Sequence, residues 1–238
     1  MKRVLLATLC LLALMVGVSN SLAMPSFTEG TKRAVFLSPL EGWMPTWNLP
    51  VFLSEVEDAG YQVDVLLNEK VTIEFLKTGL AAYDLIILRT DSFVLGGNTY
   101  YCSGEPTSFE TRVRLANEIA SQEVRVGVCV GFSAIFLHNS YPEDTLQPGL
   151  VYAVGSGTAE LAWAFLGAGS AVFAGYYEDW SLSWGRMDSL SIKLFHYLGL
   201  GYSVKDAMIQ LDGYMHRGHG NTANWPSLFW AGNGNIGI

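Results

Sequence analysis

Charge is scarce in this chain of 238 residues, at 15%, and positive charge scarcer still: Lys and Arg total 14 against 22 Asp and Glu, a net charge of -8 at pH 7. With no clustered Lys and Arg, the chain lacks the electrostatics that hold nucleic acid or an anionic membrane surface. Cysteine numbers only 3, one of them at position 10. That excludes a disulfide-stapled scaffold. Apolar runs of bilayer-spanning length are missing too, the longest being residues 4–18, short of the roughly 20 a helix needs to cross.

What is present begins at the amino end. Lys2 and Arg3 precede the apolar stretch, and Ser21, Leu22 and Ala23 supply small residues for cleavage. This reads as a secretory signal peptide over residues 1–23. No small residue precedes Cys10 in the manner of a lipid anchor, so the expectation is a secreted or periplasmic protein without an integral membrane anchor after cleavage. Residues 24–238 suffice for a single α/β domain.

Hydrophobic periodicity alternates between strand and helix. Residues 34–38, 61–67 and 85–88 read as strands, and 47–59 and 71–78 as helices between them. The stretch 93–106, rich in Gly and Tyr, reads as a hairpin or excursion. Helix 109–120, strand 124–130, strand 150–154, helix 158–166, strand 171–174 and helices 189–198 and 204–215 follow. Such alternation implies a mostly parallel central sheet with helices on both faces. The tail 221–238 carries Trp225, Phe229 and Trp230, which suits docking on the core.

Ligands of an open α/β sheet bind at the carboxyl ends of its strands. There the chain places Gly155-Ser156-Gly157 after one strand and Arg89-Thr90-Asp91-Ser92 after another. The segments 83–92, 103–106 and 150–157, the helix 159–166, the turn 167–172 and the closing 225–232 resemble, in that order, the landmarks of the caspase-like cysteine peptidase superfamily of caspases, gingipains and CHAT domains. The resemblance implies a caspase-like three-layer sandwich with the catalytic His position at Asp91 and the Cys position at Ser156. Arg89, Glu105, Gly155 and Trp180 become the candidate substrate-binding residues. With both dyad positions replaced, it implies a degenerate peptidase fold that binds or regulates a peptide or protein ligand, with no metal or organic cofactor. An aspartate with an ordinary pKa near 3.9 is a weak base toward a serine hydroxyl.

Two active readings stand beside it. In one, Ser156 with Asp91 acts as a peptidase or acyl hydrolase. In the other, Gly127-Val128-Cys129-Val130-Gly131 forms the nucleophile turn of a class I glutamine amidotransferase-like hydrolase with Cys129 as nucleophile and His138 nearest in sequence. Cys102 and Cys129 are open to two descriptions, a bridge or buried small hydrophobes. Glu178, Asp179 and Asp188 read as surface charge, and His216 and His219 as a solvated helix end. Trp180 and Trp184 follow a strand end and are candidates for a pocket wall.

Overall fold

Runs such as Leu85-Ile86-Ile87-Leu88 and Leu150-Val151-Tyr152-Ala153-Val154 are apolar at every position, so a strand built from them must be covered on both faces. The computed structural model describes residues 30–177, 183–217 and 228–237. In it six strands form one sheet: β1 (Lys32–Ser38), β2 (Tyr61–Leu67), β3 (Leu85–Arg89), β8 (Leu150–Val154), β9 (Val172–Tyr176) and β10 (Leu228–Gly232), in the order β10-β9-β8-β3-β1-β2. All neighbours pair in parallel except β10, which lies antiparallel on β9. This is an α/β fold with a mostly parallel central sheet.

Alternate residues of each strand feed two separate cores. Ala34, Phe36, Leu85, Ile87, Tyr152 and Val154 pack with Phe52 and Val56 of α1 (Leu49–Asp58) and Leu190, Leu194 and Phe195 of α7 (Trp184–Gly199). Val204, Ala207 and Leu211 of α8 (Val204–Arg217) close the same layer. On the opposite face Val35, Leu37, Ile86, Leu88, Val151 and Phe173 meet α2 (Ile73–Thr78), α5 (Ala134–Ser140) and α6 (Ala162–Gly167). Burying each large aliphatic side chain contributes about 1.5–3 kcal/mol, and the two layers together oppose the entropy of ordering the chain.

A second sheet adjoins the α2, α5 and α6 layer. It is antiparallel, ordered β4-β5-β7-β6, from β4 (Ser92–Leu95), β5 (Asn98–Cys102), β6 (Val124–Val126) and β7 (Val130–Phe132). Tyr101, Val124, Val130 and Phe132 turn into the core. The expected hairpin at 93–106 is thus β4 and β5. The expected strand 124–130 is instead a hairpin whose turn, residues 127–129, separates β6 from β7 and presents Val128 to solvent. Likewise the helix expected at 109–120 is two short helices, α3 (Phe109–Arg114) and α4 (Ala116–Ala120). The described end of the tail docks as β10, with Phe229 and Trp230 against the core.

Candidate functional site

Parallel pairing brings the carboxyl ends of β1, β3 and β8 to one edge. There the loops after β3 and β8 interlock. The Thr90 amide donates to the Val154 carbonyl at 2.9 Å, and the Ser92 hydroxyl donates to the Ser156 carbonyl at 2.9 Å. The same Ser92 donates its amide to the Asp91 carboxylate at 2.9 Å. One residue therefore ties the Asp91 loop to the Ser156 loop. Asp91 and Ser156 are both half-buried.

Gly155 owes its identity to this contact. Its φ is 145°, and a Cβ there would lie 1.8 Å from the Thr90 carbonyl oxygen. Glycine here allows two backbones to touch, so Gly155 has a packing role. The turn is fixed from below by Thr158, whose buried hydroxyl bonds the Ala153 and Gly155 carbonyls, each at 2.9 Å, and accepts the Tyr176 amide at 3.0 Å. Sequence reasoning named neither Ser92 nor Thr158 as fixing the site, because both look like ordinary loop hydroxyls.

The Arg89 side chain is engaged inside the protein. It is 2% exposed, and its guanidinium makes a fork with Asp188, Nε to Oδ1 at 2.9 Å and Nη2 to Oδ2 at 3.2 Å. Its Nη1 donates to the Met44 carbonyl at 2.6 Å, and the plane lies 4.5 Å from the centre of the Trp184 ring. Asp188, 3% exposed, accepts the Trp47 amide as well. These groups satisfy one another and hold the 44–47 loop over the sheet edge. Asp188 is thus an internal counter-charge, where surface charge was expected, and Trp184 is a platform for Arg89. Glu41 fastens the same loop, accepting from Ser38, from the Thr46 amide and from the Thr46 hydroxyl, each at 2.7 Å.

Glu105 is spent in the same manner. One carboxylate oxygen accepts the Ile73 amide at 2.8 Å, and the other pairs with Arg114. It lies beside a cleft of about 440 Å³ whose walls include Trp43, Glu69, Pro106, Val128 and Cys129. Trp43 and Val128 stand 77% and 74% exposed at its lip. Trp180, Glu178, Asp179 and His219 lie outside the described residues, as does the side chain of His216.

Cys129 is bonded to Cys102, with their Cα atoms 5.7 Å apart. A sulfur in a disulfide has no thiolate to offer, so the Cys129 nucleophile reading is withdrawn. Its turn joins two antiparallel strands, whereas a nucleophile elbow leads from a strand into a helix. His138, the nearest histidine in sequence, is exposed on α5 with its ring 5.2 Å from that of Trp163, and His196 pairs with Glu55 on the α1 and α7 layer.

The buried hydroxyls near the edge supply no base at neutral pH. Burial pushes the Tyr152 phenol up to about 12 despite its bonds to Ser191 and Tyr176, and burial likewise raises Tyr101 well above its ordinary value, with Glu160 adding to the effect. Tyr101 donates to the Gly157 carbonyl at 2.9 Å and so supports the Ser156 loop.

No protein-family model and no curated protein sequence matches the chain. Among solved structures it aligns with the Drosophila initiator caspase Dronc at 9% identity and a TM-score of 0.40, over 85% of this chain and 78% of that one. At that level of likeness the fold is read from the chain's own sheet order and layers.

Proposed function

We propose that this is an exported, caspase-like domain whose site binds a peptide or protein segment without cutting it. The observation that carries the reading is the Ser92 bridge. It brings the loops of Asp91 and Ser156 together at the carboxyl edge of β3 and β8, where the resemblance calls for His and Cys. A carboxylate and a hydroxyl at those positions lack the thiolate nucleophile and imidazole base of a cysteine peptidase.

Binding has a surface to use. The cleft of about 440 Å³ follows directly on β5, whose Cys102 amide donates to the Asp91 carbonyl at 2.9 Å. Exposed Trp43 and Val128 offer apolar contact there, a common means of holding an extended segment. Glu105 in the cleft wall is consumed by internal bonds, and Arg89 and Asp188 anchor the 44–47 stretch that follows Trp43.

The test is to rebuild the dyad. Asp91→His with Ser156→Cys, treated with a panel of peptidyl acyloxymethyl ketones, should be labelled at residue 156 where wild type is not. The single change Ser156→Cys should label far less. A double variant that melts like wild type and yet takes no label would contradict the placement of the dyad.

A Ser156 hydrolase is the second reading. Asp91 within one residue of the Ser92 bridge favours it, and fluorophosphonate labelling of Ser156 tests it.

A further inference from the structure

A second cavity, of about 400 Å³, lies over Tyr101 on the second sheet. Its walls come from four separate stretches of chain. The start of β5 provides Asn98 and Thr99, the turn before β6 provides Gln122, and the segment around the start of α6 provides Glu160 and Trp163. Ile135 of α5 closes one side. Neither Asp91 nor Ser156 borders it among the described residues.

The walls are held in place. Gln122 sits at a φ of 65°, and its carbonyl accepts the Tyr100 hydroxyl at 3.1 Å. Trp163 is 49% exposed, with its ring braced by His138. The side chains of Asn98, Gln122 and Glu160 are exposed and that of Thr99 is half-buried, and none of the four makes a hydrogen bond with a described residue, so all four are open to a ligand from solvent.

We propose that this cavity binds a neutral saccharide. A pyranose presents a face of C–H groups, polarised positive, that fits the negative face of the Trp163 ring. Its hydroxyls each donate and accept, so a few of them can satisfy two amides, a threonine hydroxyl and a carboxylate together. Apolar side chains would displace water from the four polar groups without replacing its hydrogen bonds, whereas sugar hydroxyls replace them. Anionic ligands are disfavoured, because the described lining residues include one carboxylate, Glu160, and no cation.

The saccharide site is also coupled to the Ser156 loop through one hydroxyl. Tyr101, the floor of the cavity, donates to the Gly157 carbonyl. Glu160 and Trp163 follow that loop within the same segment.

The experiment uses the mature protein with chitotriose, cellotriose and maltotriose as neutral probes, trigalacturonate as an anionic probe and acetyl-trileucine amide as an apolar peptide. Saturation-transfer NMR and calorimetry should show saturable binding of at least one neutral trisaccharide and of neither control. Trp163→Ala and Gln122→Ala should each weaken it about tenfold or more, which is about 1.4 kcal/mol, while Trp163→Phe retains part of it. Thermal melting of each variant separates loss of binding from loss of fold. Absence of saturable binding for all three neutral sugars, binding indifferent to Trp163→Ala, or binding of the peptide alone would each overturn the assignment.

Discussion

The carboxyl edge of the central sheet and the face of the second sheet treat polar side chains in opposite ways. At the edge, Arg89, Asp188, Glu41 and Glu105 are partnered inside the protein, and the two most buried, Arg89 and Asp188, are only 2% and 3% exposed. Over the second sheet, Asn98, Gln122 and Glu160 stand exposed and Thr99 half-buried at a cavity, and their side chains make no hydrogen bond among the described residues. The contrast teaches that charge at a strand end is not in itself a substrate site. Desolvated charges that answer one another build a scaffold; polar groups that converge without partners are the ones available to a ligand.

The largest break in this contrast comes from Asp188→Ala. It leaves the Arg89 guanidinium buried without its counter-charge, and urea unfolding should show a loss of about 3–5 kcal/mol. Arg89→Met with Asp188→Leu, which removes both charges, should recover much of it. A loss under about 1 kcal/mol for Asp188→Ala would mean that solvent reaches the pair.

The next effect concerns the second sheet. Cys102→Ser with Cys129→Ser opens a loop with a sequence separation of 27, and the lost constraint on the unfolded chain is worth about 3 kcal/mol. Hydrogen exchange should rise in β5, β6 and β7 while β1 and β3 stay protected. Uniform loss across both sheets would show that they unfold as one unit.

The central sheet was legible because its strands carry their own signal. Tyr61–Leu67 was read with its observed bounds, and Leu85–Arg89 missed only its last residue. In the second sheet the β4–β5 hairpin was legible and the β6–β7 hairpin was not. In 124–130 the apolar run hides a turn, and the reason is contact: Cβ atoms at Gly127 and Gly131 would lie 3.0 and 2.6 Å from the ring of Phe93, a residue from another strand. Helix α7 starts at Trp184, ahead of the expected 189, because buried Asp188 interrupts its apolar spacing. The partner that justifies that burial, Arg89, is 99 residues away in sequence.

The meeting of the Asp91 and Ser156 loops was legible, and their bonding partners were not. The sequence brought Asp91 and Ser156 to one edge, and the interlocked loops place them there. It offered Arg89, Glu105 and Gly155 as substrate contacts, because a charge or a glycine at a strand end looks the same whether it meets a ligand or a neighbouring backbone. Cys129 shows the same limit: only its distance to Cys102 separates a nucleophile from half a bridge.

The most direct measurement is labelling of the protein with a fluorophosphonate, which modifies an activated serine. On the proposed reading, wild type and Ser156→Ala should show the same background. Labelling of wild type at Ser156, abolished in Ser156→Ala and in Asp91→Asn, would contradict a site that binds without cutting.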